Sequence, residues 1–281
     1  MTFFEAIATY GFLADALLAA VLSGIACGIV GTYVVTRRMV FLSGGITHAS
    51  FGGIGIAYHF GLNPIGGAMV FAILSALGIE WAGAKGRIRE DSAIGIVWSL
   101  GMAIGTLFIF ATPGYAPNLM SFLFGDVLTV DKTNIVALAV LVAVLVAVFT
   151  LWYRPVMWAS FDREYARSQG VKADAILMLM TVLTAITIVL SIRIVGIVLL
   201  ISLLTVPTVI AMSLTKSYPK IISLASLLAV VGNVIGIWVA YEVDFPVGAT
   251  TIILLGITLF IVKLLTLPSR KSVHKKLKIG K

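Results

Sequence analysis

Charge is what this sequence has least of. Of its 281 residues 11% are charged and 60% hydrophobic, and the mean hydropathy is +1.11, far outside the range of a water-soluble domain. A single cysteine, Cys27, rules out an intramolecular disulfide and any thiolate metal cluster. The sequence holds no G-x-x-x-x-G-K-[ST] phosphate loop, no His-Glu-x-x-His and no nucleophile beside a base. Membrane-enzyme chemistry is therefore not expected, and any nucleotide hydrolysis must come from another chain. What the sequence does have is long apolar runs.

A helix crossing a hydrocarbon layer of roughly 30 Å needs about 20 mostly apolar residues, because every backbone amide must be satisfied within the helix. Such runs fall at about 12–36, 41–60, 65–84, 92–112, 134–153, 174–193, 195–214, 221–241 and 247–267. The expected fold is an all-α polytopic membrane helix bundle with 8–9 transmembrane segments. The uncertain number lies at Arg193, where no room exists for an ordinary loop and one of the two flanking runs is expected to be re-entrant or broken. Residues 1–267 form the membrane domain, with a polar loop at about 154–173 and a basic tail over 268–281. The first long apolar run follows Glu5 and Asp15 rather than a basic leader, so it is expected to be a permanent span rather than a cleaved signal.

With nine crossings, all but Lys132 and Arg193 of the 20 basic residues fall on one side. Because short cytoplasmic loops retain Lys and Arg, the N-terminus is expected outside and the C-terminus inside. The tail residues Arg270, Lys271, Lys275, Lys276, Lys278 and Lys281 carry no interleaved aromatics, so they suit membrane lipid and not nucleic acid.

Small residues recur every four positions at Gly24 and Gly28, then at Gly45, Ala49 and Gly53. Such stripes let helix backbones approach closely, and the first two helices are expected to pack on each other. Pro207 interrupts the seventh run and should kink it near Thr205, either to line a pathway or as a packing kink rescued by the Thr205 and Thr208 hydroxyls.

His48, in Ser43-Gly44-Gly45-Ile46-Thr47-His48-Ala49-Ser50, is an ionisable group at membrane depth, which is costly unless it has a partner or a task. Neutral imidazole suits divalent transition metals. The alternative is an imidazole bonded to a carbonyl of a neighbouring helix. His59 lies eleven residues on and returns to within roughly 20° of the same face, ~16 Å higher, either as a second station near the outer mouth or as an interfacial residue. Glu242 and Asp244, between the eighth and ninth runs, offer oxygen ligands for an arriving cation or a solvated turn. Asp126 and Asp131 either attract cations or form turns. Asp91-Ser92 is placed to cap the fourth run. Asp162, Arg163, Glu164, Tyr165, Ala166, Arg167 and Gly170 alternate charge at helical spacing and end on glycine, the pattern of a short surface helix with a C-cap.

Several stretches in order resemble the permeases of metal-type ABC importers, which carry zinc, manganese or iron across bacterial inner membranes. They are Arg37-Arg38-Met39-Val40-Phe41-Leu42 leading to Thr47-His48-Ala49, Arg89 to Ile96, Phe124-Gly125-Asp126, residues 161–170, Val195-Gly196-Ile197 through Pro207, and Tyr241 through Ala249. The resemblance implies a fold like that of the vitamin and siderophore importers, a permease homodimer, a separate cytoplasmic ATPase that uses ATP, and an extracytoplasmic metal-binding protein. It also implies that the metal is cargo with no permanently bound cofactor, that His48 is a ligand, and that 161–170 contacts the ATPase. One departure stands out: the family commonly carries an aspartate four residues before the membrane histidine, where this chain has Gly44. A vitamin or metal-chelate permease and a self-sufficient secondary metal transporter are the alternative functions.

Overall fold

The computed structural model describes residues 3–84, 88–113, 125 and 130–266. Among them, the chain forms a short α1 (Phe3–Thr9), then α2 (Gly11–Thr36), α3 (Val40–His59), α4 (Pro64–Ala84) and α5 (Glu90–Phe110). It continues through α6 (Lys132–Leu151), α7 (Tyr153–Phe161), α8 (Arg163–Ser168), α9 (Ala173–Leu214), α10 (Tyr218–Val243) and α11 (Val247–Thr266). Eight of these helices are long and apolar enough to cross a membrane, so the all-α membrane bundle expected from the sequence is what forms.

The doubtful stretch at Arg193 resolves in an unexpected way. Helix α9 is 42 residues long, but Gly196 adopts φ 75°, ψ 166° inside it, a conformation open to glycine and closed to side chains with a Cβ. The chain reverses there. On the first leg, Ser191 meets Cys27 at 4.0 Å and Ile194 shares a small cavity with Ala20. On the second leg, Leu199 lines that same cavity, Leu204 lies against Gly31, and Met212 shares a cavity with Thr36. The legs thus run in opposite directions along α2, and each is about the length a bilayer requires. Neither run is re-entrant; both pass the full bundle. Around Pro207 no residue leaves helical dihedral angles, and Thr205 Oγ1 donates to the Ile201 carbonyl at 2.8 Å. The one non-helical residue of α9 is therefore Gly196, and the turn preceding Pro207 keeps helical dihedral angles with its Thr205 hydroxyl bonded back.

The small-residue stripes find different partners from the one expected. Gly24 and Gly28 lie against Val230 and Ser226 of α10, whereas a Cβ on Gly53 would strike the carbonyl of Gly67 in α4. Gly101 of α5 sits equally tight on Ala49. So α2 packs on α10, and α3 is clasped between α4 and α5. Of the most apolar window of α3, 78% is buried, against 22% for α6 and α11, which makes α3 the central helix and the other two peripheral.

Local chemistry sets the ends. Asn63 Oδ1 accepts from the Ile65 amide at 2.9 Å to start α4 just before Pro64. Asp131 caps α6 by accepting from the Asn134 amide at 2.8 Å. The cap expected from Asp91-Ser92 does not form: α5 begins at Glu90 after Arg89, and Asp91 lies in its first turn, 3.9 Å from the Arg89 guanidinium. Arg37, Arg89, Arg154, Arg163, Lys172 and Lys216 gather at one end of the bundle. At the other end, Arg193 pairs with Asp131 at 3.6 Å.

Candidate functional site

His48 projects from central α3 toward α5, where its ring stacks on Trp98 with centroids 4.3 Å apart and planes 6° from parallel. Stacking fixes the plane of the imidazole and leaves its nitrogens at the ring edge, where a ligand would approach. Among the described residues no hydrogen bond to either nitrogen is found, so the alternative of an imidazole tied to a helix carbonyl is not what forms. A Cβ added at Gly44 would lie 3.8 Å from both Trp98 and Ile201 of α9. The position where the resemblance implies an aspartate therefore opens onto the same aromatic wall. Thr47, one residue earlier, is buried with its hydroxyl donated to the Ser43 carbonyl at 2.6 Å, which commits it to its own helix.

His59 also faces α5, as the eleven-residue spacing requires. Its ring meets Phe108 edge-on, and its Nδ1 lies 3.0 Å from Thr112 Oγ1. The Thr112 hydroxyl proton is already donated to the Phe108 carbonyl at 2.7 Å. Nδ1 is then the donor to Thr112, which leaves Nε2 as the ring nitrogen not engaged by that contact.

Glu242 and Asp244 occur elsewhere. Both are exposed at the end of α10, where Asp244 terminates the helix in the left-handed region at φ 58°. Helices α3 and α10 are not packing neighbours, so the four candidate ligands are not brought to one point. Among the described residues no three His, Cys, Asp or Glu side chains gather closely enough to hold an ion. Asp131 is used as a cap and a partner of Arg193, whereas Asp126 and the 268–281 tail lie outside the described residues.

The charged loop forms the helix its pattern predicts. Asp162 accepts from the Tyr165 amide at 2.9 Å to begin α8, and Gly170 at φ 77° ends it, its amide donating to Arg167 at 2.9 Å. Helix α7 precedes it, so the loop is two short helices. Arg167 bridges Glu164 at 2.7 Å and Asp174 at 2.9 Å. Hydrogen bonding to Asp174, reinforced by its charge and by Glu164, raises the Arg167 pKa above the ordinary guanidinium value. Glu164 and Tyr165 face outward, whereas Ala166 is buried and Arg163 turns inward.

Two residues in these regions were not singled out by sequence reasoning. Trp98 gave no signal of its own in an apolar run. Glu80 did: it is a lone carboxylate inside the third run, and an ionisable group at that depth is a functional candidate by default. It is 4% exposed and paired with Arg37 and Arg163.

A bundle of membrane-length helices around a central histidine helix, with a charged helical loop at one end, is the architecture of a multi-pass transport protein. The chain belongs to the ABC 3 transport family, whose model matches residues 9–266. The resemblance read from the sequence is thereby borne out. The chain is 34% identical over 259 residues to the manganese transport system membrane protein MntC of Halalkalibacterium halodurans, covering 92% of this chain and 88% of that one. It superposes on a chain of PsaBC from Streptococcus pneumoniae in complex with Fab with a TM-score of 0.84 and 26% identity, over 98% of each chain. A metal-chelate type ABC transporter in an inward-facing conformation shares the fold alone, at a TM-score of 0.73 and 16% identity over 89% of this chain and 85% of that one.

Proposed function

We propose that this chain is the membrane permease of an ATP-driven importer that moves a divalent transition metal, manganese foremost, into the bacterial cytoplasm. The observation that carries the reading is the imidazole of His48, set on the central helix and held edge-open by Trp98. Imidazole accepts manganese, iron and zinc alike; manganese is preferred because it is the metal named for MntC. A separate ATPase docks on residues 161–170 and supplies the energy, an extracytoplasmic binding protein delivers the ion, and two copies of the permease pair. The basic end of the bundle faces the cytoplasm, which puts the N-terminus outside and the C-terminus inside. His59 is an entry station, and Glu242 and Asp244 draw cations toward the outer face.

Manganese uptake into liposomes holding the permease and its ATPase tests the reading. His48→Ala should lower ATP-dependent uptake by about tenfold or more, by the scale of altered metal sites, while the protein melts at the wild-type temperature. Undiminished uptake would refute it. Competition by zinc and by ferrous iron ranks the metals.

A further inference from the structure

Glu80 is a buried carboxylate that neither the metal path nor the docking surface requires. Near the basic end of α4 it accepts from Arg163 Nη2 at 2.7 Å, from Arg37 Nη1 at 3.3 Å and from Thr181 Oγ1 at 3.4 Å. Arg37 is held in turn by the Tyr33 hydroxyl at 2.9 Å. A carboxylate at 4% exposure persists only because two guanidiniums surround it.

The partners belong to three different pieces of the fold. Arg37 is the cap residue of α2 and begins the turn into α3, the helix that carries His48. The next residue, Arg38, sits at φ 59°, so this turn is held away from relaxed geometry by what surrounds it. Arg163 is the first residue of α8, and Thr181 lies in the first leg of α9. One side chain therefore bridges the charged surface helix and the start of the histidine helix, and among the described residues α3 and α8 are not packing neighbours.

We infer that Glu80 is a positioning residue for coupling: it transmits displacement of the α8 docking helix, through Arg163 and Arg37, to the α2–α3 turn and so to His48. The inference rests on the reading of 161–170 as the ATPase contact. Force applied to α8 cannot move it independently of α3 while both guanidiniums share one carboxylate. Removing the charge of Glu80, or the Arg163 arm alone, lets α8 move without α3.

Two measurements test this. Spin labels at F41C and S168C, both exposed positions, report the separation of α3 and α8 in the purified permease, because Cys27 is fully buried and stays unlabelled. Glu80→Gln and Arg163→Met should broaden that distance distribution, and Asp91→Asn, which touches only an exposed pair at the same end, should leave it unchanged. In liposomes with the ATPase, Glu80→Gln should still hydrolyse ATP yet carry about tenfold less manganese per ATP, a coupling loss of ordinary size. Wild-type distances together with wild-type manganese per ATP in Arg163→Met would overturn the inference, and that variant decides the matter if Glu80→Gln fails to fold. An ATPase that binds the wild-type permease without contacting 161–170 would instead overturn the docking reading, and the label distances alone would then judge the joint.

Discussion

The two polar regions of this bundle are built on opposite plans. At the basic end, Glu80, Arg37, Arg163 and Thr181 form a closed network in which each carboxylate oxygen is engaged, and Asp174, Arg167 and Glu164 extend it to the surface. At mid-bundle, His48 has an aromatic face for a neighbour and, among the described residues, no hydrogen-bond partner. A saturated network fixes positions and has no valence left for a ligand, whereas a ring fixed only by stacking keeps its nitrogens free. The first arrangement suits transmission of movement, the second transient contact with an ion.

The largest effect should come from unbalancing the saturated network. Glu80→Leu leaves the part-buried Arg37 without a counter-charge and Arg163 with Asp174 alone at 3.8 Å, which costs about 3 kcal/mol, and should show as loss of monodisperse protein and a sharply lower melting temperature. Replacing all three residues together, as Glu80→Leu with Arg37→Met and Arg163→Met, should restore the melting temperature. A triple variant no more stable than Glu80→Leu would break the comparison by showing that the charges were not balancing one another.

A smaller effect is expected at the open site. Trp98→Ala removes a stacking contact of about 0.5–1.5 kcal/mol, so the melting temperature should move little while manganese uptake falls by about tenfold, as when the support of a metal ligand is lost. Trp98→Phe should recover most of the uptake. Equal loss of stability and uptake in Trp98→Ala would mean that the tryptophan serves packing alone.

The smallest effect belongs to the outer turn. Asp244→Gly relieves a left-handed backbone and should raise stability by a few tenths of a kcal/mol. If the carboxylate gathers cations, uptake from dilute manganese should fall modestly at low salt and recover as salt screens the field. Unchanged uptake at every salt concentration would leave Asp244 as a turn residue.

Much of this was legible because apolar length, basic asymmetry and capping chemistry are local properties. The runs at 41–60 and 221–241 become α3 and α10 with shifts of a few residues, and Asp162 through Gly170 forms the capped helix its spacing predicts. The misreadings concern partners. A stripe such as Gly24 and Gly28 says that something comes close, not that it is α10 rather than α3. Trp98 is invisible as a neighbour of His48 until α3 and α5 lie side by side. Pro207 was the louder signal in sequence, and around it α9 keeps helical dihedral angles, with Thr205 and Thr208 hydroxyls turned back onto carbonyls of the preceding turn, while the quieter Gly196 supplies the positive φ that reverses the chain. Glu80 could have been found, since its position in an apolar run was enough to flag it.

Gly196 also decides on which side of the bundle the rest of the chain emerges. Were its dihedral angles to relax into an ordinary helix, α9 would become a straight rod of about 63 Å, twice what a bilayer accommodates. Everything from Ile197 onward would be delivered to the opposite end of the bundle, separating Lys216 and Lys220 from Arg37, Arg163 and Lys172. One backbone torsion and two distant lysines thus enforce the same insertion outcome, and a residue with a Cβ at position 196 pits them against each other.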